Sequence, residues 1–175
     1  MMRLLLVVVL ATGALCASAT TPAEVLQDLP NVAFPMPYRI ASGRLQASDI
    51  SLLQSAGVRE VIDLSVDDET PAFDEAAAVR SAGMTYRNLP IRGAGDLDDA
   101  HVARFNQLLA DAGDKPTLVH CASGNRVGAM IALRAAKYGG QSVEAAVAEG
   151  RRWGLRGLEP AVRERLSRPA ADAPH

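Results

Sequence analysis

His120-Cys121-Ala122-Ser123-Gly124-Asn125-Arg126-Val127-Gly128 follows the apolar run Thr117-Leu118-Val119 and leads into Ala129-Met130-Ile131-Ala132-Leu133-Arg134. The pattern predicts a strand, a tight loop and a helix N-terminus. A helix start carries unpaired backbone N–H groups and the positive end of the helix dipole, so the loop from Cys121 to Arg126 is suited to an anion. Its seat is a nest of amides, to which Ala122, Ser123, Gly124 and Asn125 contribute. A thiol placed there is drawn toward thiolate by the amides and by the guanidinium of Arg126, which makes Cys121 a candidate nucleophile. Arg126 offers a planar fork of donors that fits a phosphate or sulfonate bidentately. The rest of the chain reads as scaffold for this loop.

These residues resemble the signature of the cysteine-dependent protein phosphatases, in which a His-Cys pair, a glycine-containing loop and an arginine open a helix. A narrower likeness extends over roughly residues 36–166. Tyr38-Arg39-Ile40, Ser42-Gly43-Arg44, Ala56-Gly57-Val58, Val61-Ile62-Asp63-Leu64, Ala82-Gly83-Met84 and Asn88-Leu89-Pro90 precede His120-Cys121. Together they resemble the phosphatase-like domain of beta-lactamase hydrolase-like proteins. The likeness implies a tyrosine-phosphatase-like fold and a phosphocysteine mechanism, with His120 donating within the loop and orienting the cysteine. A histidine packed at a strand end is the plainer alternative. Four residues separate Cys121 from Arg126, where the usual signature has five. Rhodanese sulfurtransferases also use the shorter loop.

Outward from the loop, helix, Ala-Gly and strand succeed one another at Ala56-Gly57 and again at Ala82-Gly83. That rhythm is α/β: a single domain with a mainly parallel central sheet flanked by helices. In such sheets ligands gather at the carboxyl ends of the strands, where Cys121 falls. Tyr38–Leu45 reads as two short strands turning at Gly43. Val58–Leu64 and Met84–Ile91 read as further strands. Ser48 is the expected cap of one helix, and Thr70-Pro71 the expected start of another that stops at Gly83. Asp98 is placed to cap a helix carrying Val102, Phe105 and Leu109. Beyond Gly139-Gly140, Ser142 caps a further helix and Pro160 opens the last, with Trp153 and Tyr138 packing between them. Residues 20–35, with Pro30 and Pro35, read as an N-terminal extension, and 167–175 as a flexible tail.

At the start, Met1-Met2-Arg3 and the apolar run Leu4–Leu15 read as a signal peptide over residues 1–19, with Ala17-Ser18-Ala19 as the cleavage site before Thr20. Leu15 argues against lipidation at Cys16, and an uncleaved anchor is the alternative. Export to the periplasm or beyond follows, with no stable membrane insertion after processing. Cleavage removes Cys16 and leaves Cys121 as the lone thiol, so no intramolecular disulfide forms in a compartment that favours them. A buried, inert cysteine is the plain alternative for Cys121.

Asp96, held in the run Ile91-Arg92-Gly93-Ala94-Gly95-Asp96, is the candidate general acid. Alternatively Asp96, Asp98 and Asp99 are all solvated or capping charges. Arg151 and Arg152 read as a solvated helix end. With three histidines and a formal net charge of −2, the chain offers neither a metal-ligand cluster nor a basic face for nucleic acid. No cofactor is expected. The expected partner is a small phosphate ester or a phosphoprotein, acted on by a monomer. Two further readings stay open: a sulfurtransferase carrying a persulfide on Cys121, and an anion-binding module without turnover.

Overall fold

The computed structural model describes residues 21–69 and 73–168. The expected signal peptide, Thr70-Pro71 and the end of the expected tail lie outside these residues. Five strands, β1 Ala33–Met36, β2 Arg39–Ser42, β3 Glu60–Asp63, β4 Thr85–Asn88 and β5 Thr117–His120, form one sheet in the order β1-β2-β5-β3-β4. β1 is antiparallel to β2, and the other pairings are parallel. The strand that delivers the signature is therefore the central one, and all four of its residues are buried.

Successive side chains of a strand point to opposite faces, and the two cores follow from that period. Val61 and Leu118 enter one core, with Leu26 of helix α1 (Pro22–Leu26), Leu53 of α2 (Asp49–Ser55) and Val79 of α3 (Glu75–Ser81). Ile62 and Val119 enter the other. There they meet Phe105 of α4 (Asp99–Ala112), Met130 of α5 (Asn125–Gly139), Val147 of α6 (Val143–Arg152) and Val162 of α7 (Glu159–Ser167). Covering both faces is what a parallel sheet requires.

Several boundaries differ from the sequence expectation, each for a local reason. The hairpin turns at Pro37-Tyr38 rather than at Gly43, with Tyr38 in the left-handed region at φ 60°. Gly43 lies beyond β2, where a Cβ would come within 3.0 Å of the Pro30 carbonyl and 3.3 Å of that of Ala122. Residues 21–35 belong to the packed body: Leu26 and Leu29 are buried, and β1 includes Pro35. Proline is tolerated there because β1 is an edge strand. The third helix as described begins at Glu75, capped by the Asp74 carboxylate on the Ala77 N–H. Ser48 occupies a cap position without a side-chain cap bond, whereas Asp98 and Ser142 cap as expected. Ser167 closes α7 rather than starting a tail, and Tyr138 is exposed while Trp153 is buried.

The α5–α6 contact fixes where the signature helix sits. A Cβ on Gly128 would lie 2.1 Å from the Leu155 nitrogen and 2.6 Å from the Gly150 carbonyl oxygen, both backbone atoms that cannot swing aside. Gly128→Ala should therefore destabilise the fold by about 3 kcal/mol, the upper end of ordinary overpacking. Urea denaturation should show a lower midpoint at unchanged slope; an unaltered midpoint would mean that the helices are not held at backbone contact.

Candidate active site

The same two-residue period that builds the cores separates the members of the His-Cys pair. His120 shares a face with Leu118, under α3, and Cys121 joins the core beneath α4–α7. Cys121 is 0% exposed, so its thiol sits at the floor of the loop. After it the chain turns through Gly124, whose φ of 80° is open to glycine at no cost, and α5 starts at Asn125.

Among the described residues, no backbone N–H from Ala122 through Val127 donates to a carbonyl or side-chain oxygen; the first paired amide is that of Gly128, which donates to the Gly124 carbonyl at 3.0 Å. The loop is thus a cradle of free donors at the positive end of a fifteen-residue helix. Ser123 is exposed at its mouth, and Ala122 is half-buried. The Asn125 side chain faces away: its Oδ1 accepts from the N–H groups of Arg156 at 2.8 Å and Leu158 at 3.3 Å. Asn125 therefore offers the cradle its backbone amide and pins the turn before α7 with its side chain.

Arg126 is buried but not saturated. Nη1 donates to the Ile91 carbonyl at 2.6 Å and to Glu69 Oε1 at 3.1 Å, while Nη2 donates to Glu69 Oε2 at 2.5 Å. Glu69 therefore takes the end of the fork. The Nε–H and the outer Nη2–H, which are parallel, have no oxygen acceptor among the described residues. That edge is the bidentate one a tetrahedral oxyanion needs. Burial works against the charge on Arg126, but the carboxylate of Glu69 and the nearby Cys121 outweigh it and hold the guanidinium above its ordinary range.

His120 does not reach into the loop. Its Nε2 lies 2.7 Å from Glu75 Oε1 and 3.5 Å from Asp63 Oδ1, with the ring fully buried. Its other nitrogen, Nδ1, is buried and has no partner among the described residues, so the expected bond into the loop is not among its contacts. β3 and β5 pair Asp63 with His120, so both side chains point toward α3, whose first residue is Glu75. Asp63 in turn accepts from the Ser65 N–H at 2.7 Å, the Tyr86 hydroxyl at 2.9 Å and the Asn88 amide at 3.4 Å. Asp63, Glu75 and His120 have the donor types of a metal site and lie within 4.8 Å of one another. The 2.7 Å separation of Nε2 and Oε1 is a hydrogen-bond length, shorter than the roughly 3.3 Å between ligands of a tetrahedral zinc ion. The cluster fits a shared proton better than a cation.

Asp96 ends a 3-10 turn, Ala94–Asp96, and its Oδ2 accepts from the Arg92 N–H at 2.7 Å. Arg92 follows Ile91, whose carbonyl holds Arg126, so the turn is tied to the signature arginine. Asp98 serves as the cap of α4 and pairs with His101 Nδ1 at 2.9 Å. Arg151 pairs with Glu159 and Arg152 with Glu149 at exposed helix ends. Glu69, Glu75 and Asp63 are the residues that sequence reasoning missed. Asp63 left a trace, an acid closing an otherwise apolar strand; Glu69 and Glu75 are acids in a polar segment, with nothing local to single them out.

A parallel sheet whose central strand ends in a cysteine, wrapped by free amides and closed by an arginine on the following helix, is the core of the cysteine-dependent phosphatase superfamily. Within that superfamily the chain belongs to the PTP-SAK family, the DSP-PTPase phosphatase domain of Swiss Army Knife proteins, whose family model matches residues 30–170. A candidate phosphatase (DUF442) from Shewanella putrefaciens CN-32 is similar at 28% identity, over 83% of this chain and 96% of that one, with a TM-score of 0.65. TpbA of P. aeruginosa, in a complex with pTyr, is similar at 25% identity over 88% of each chain, with a TM-score of 0.62. The kinase-associated phosphatase KAP, at 15% identity over 81% of this chain and 94% of that one, shares the fold at a TM-score of 0.67. No match is found among curated proteins.

Two outcomes follow from the hydrogen bonds around the loop. Glu69→Ala strips a carboxylate from a guanidinium that is 9% exposed; with Glu69 itself partly solvated, the cost should be about 2 kcal/mol. Inorganic phosphate should restore more stability to this variant in urea denaturation than to the wild type, because it re-pairs the guanidinium. Equal restoration would place Arg126 outside the anion site. Separately, burial and then the Asp63 carboxylate push the Tyr86 phenol well above its ordinary range. The unfolded chain ionises near pH 10 while the folded one keeps its proton, so this contribution is full below about pH 10 and is lost as pH rises beyond it. Tyr86→Phe should flatten the alkaline fall in stability.

Proposed function

We propose that the protein is an exported phosphatase that hydrolyses a phosphate ester through a covalent phosphocysteine. The observation that carries this is the run of acceptor-free amides from Ala122 to Val127 around Cys121, together with the open edge of Arg126. A phosphoryl group seated there presents its phosphorus to the sulfur below. The Cys121 thiolate attacks, the phosphorus–oxygen bond of the ester breaks, and Asp96 gives a proton to the departing alkoxide. The amides and Arg126 take up the charge on the equatorial oxygens, donors already aimed before the reaction begins. Water then attacks the phosphocysteine, inorganic phosphate leaves and the thiolate returns. His120, clamped to Glu75 and Asp63, holds the strand end that aims Cys121.

Export rests on residues 1–19 reading as a signal peptide with cleavage before Thr20; among the described residues, no helix is long and apolar enough to cross a membrane. N-terminal sequencing of the envelope fraction should begin near Thr20, and an intact Met1 on a membrane-bound form would overturn the export reading.

The four-residue spacing supports a second reading, sulfur transfer through a persulfide on Cys121. The two chemistries separate in one experiment. The residue after the signature arginine, which in ordinary members is Ser or Thr and assists loss of the cysteine, is Val127 here, 0% exposed. Breakdown of the phosphoenzyme should then be slow, giving a burst with an aryl phosphate followed by a lower steady rate. Val127→Ser should raise the steady rate roughly tenfold, a typical contribution of about 1.4 kcal/mol to a barrier, with the burst preserved. Cys121→Ser should abolish both phases. No burst with any aryl phosphate, combined with Cys121-dependent transfer of sulfur from thiosulfate to cyanide, would replace the phosphatase reading by the persulfide one.

A further inference from the structure

Two carboxyl groups meet His120 where one would supply its acceptor. Asp63, opposite it on β3, accepts from the Ser65 N–H, the Tyr86 hydroxyl and the Asn88 amide, and its Oδ1 lies 3.5 Å from His120 Nε2. Glu75 places a second carboxyl group 2.7 Å from the same nitrogen. The Glu75 side chain has no other hydrogen-bonding partner among the described residues.

Buried side-chain atoms without partners are few in a native protein, and each costs the desolvation of a polar group. Among the described residues there are three: Glu75 Oε2, His120 Nδ1 and Ser65 Oγ. All three belong to this one cluster, joined by the bond of Nε2 to Glu75 Oε1 and by that of the Ser65 N–H to Asp63 Oδ1. Glu75 is 4% exposed and Asp63 2%. A second buried carboxyl group beside the first adds its own desolvation and, when both are ionised, their repulsion. Stability alone accounts for Asp63 with its three donors. It gives no reason for Glu75.

What Glu75 changes is the partner that His120 takes. Without Glu75, Nε2 turns to Asp63, and the ring rotates on the residue that directly precedes Cys121. The His120 carbonyl accepts the Leu64 N–H at 2.9 Å, and the Leu64 carbonyl lies 3.5 Å from Arg126 Nη1. The ring, the peptide that leads to Cys121 and the signature arginine are thus joined in one path. A nucleophile beneath a fixed cradle is sensitive to small displacements, because attack needs the sulfur in line with the bond that breaks.

We propose that Glu75 is a positioning residue of the reaction: it draws His120 away from Asp63 and so sets the direction in which Cys121 presents its sulfur to the cradle, at the expense of stability. This rests on the phosphatase reading for the reaction that is positioned. Glu75 makes no hydrogen bond to the cradle or to Arg126, and it acts only through His120.

The test uses the whole protein with para-nitrophenyl phosphate and compares the burst, which reads attack by Cys121, with stability in urea. Glu75→Met fills the same space without a carboxyl group. Its urea midpoint should equal or exceed that of the wild type, because Asp63 remains for His120 and no unpaired charge is left behind. The rate constant of its burst should fall about tenfold, while inhibition by inorganic phosphate stays within about twofold, since the amides and Arg126 still bind the anion. Glu75→Gln keeps an acceptor for Nε2 and should hold the burst within about threefold of the wild type. Tyr86→Phe strips a donor from Asp63 instead, and should lower the midpoint while keeping the burst.

A wild-type burst in Glu75→Met overturns the proposal. A midpoint that falls with the burst, failure to fold included, makes Glu75 a structural residue and overturns it as well. So does a burst lost in Glu75→Gln or Tyr86→Phe as deeply as in Glu75→Met. Failure of the phosphatase reading registers separately, as a wild type without a burst. The same variants are then compared in Cys121-dependent transfer of sulfur from thiosulfate to cyanide, where the proposal expects the same order of rates. A Glu75→Met rate equal to that of the wild type there, or the absence of both activities from the wild type, overturns it.

Discussion

Backbone N–H groups left without acceptors are costly wherever water is excluded, and the loop from Ala122 to Val127 keeps a row of them. The fold holds that row open because each neighbouring element is fixed by something else. β5 lies between β2 and β3, so the strand that launches the loop is paired along both edges. Gly128 brings α5 against the Gly150–Leu155 backbone, and Asn125 anchors the turn before α7. Held from these sides, the loop amides keep no acceptor among the described residues. The energy that other turns gain from internal hydrogen bonds is reserved here for a ligand.

The charged groups divide by face in a way that period-two geometry enforces. On the α3 side, His120, Glu75 and Asp63 form a buried set. On the other side, Arg126 keeps one edge of its fork open while Glu69 holds the other. Glu69 lies in the connection between β3 and α3 and Glu75 opens α3, so one short stretch of chain braces the signature from both faces of the sheet. Adjacent residues His120 and Cys121 thereby acquire unlike surroundings: one is locked in an acid pair, the other lies beneath an anion cradle.

Much of this was legible in the sequence. The apolar run ahead of Cys121, Gly124 and the helix-forming run after Arg126 located the strand, turn and helix, and the repeated Ala-Gly stops indicated the α/β order. Asp98 and Ser142 declared themselves as caps because capping is a local interaction. What was not legible depends on contacts between distant residues. Nothing near Glu69 or Glu75 marks them as partners of Arg126 and His120, since each pairing joins residues far apart in the chain. Pro30 and Pro35 marked an N-terminal extension leading into the domain; within it Leu26 and Leu29 are core residues, and Pro35 is accommodated in an edge strand. The sequence also places His120 beside Cys121 without showing that the pleat turns the two side chains to opposite faces.

The partners around the cradle are far apart along the chain. Leu64 and Ile91 supply carbonyls to Arg126, Glu75 meets His120, and Arg156 reaches Asn31. β5 cannot take its place until it pairs with β2 and β3, which are much earlier in the sequence. The site is therefore a product of non-local closure, the slow part of assembly for a chain of this topology, and no contiguous fragment contains it. An oxyanion that occupies the cradle binds the native chain and not the unfolded one, so its concentration enters the folding equilibrium directly through mass action. For this protein, the anion content of the surrounding medium is a term in its stability as well as in its chemistry.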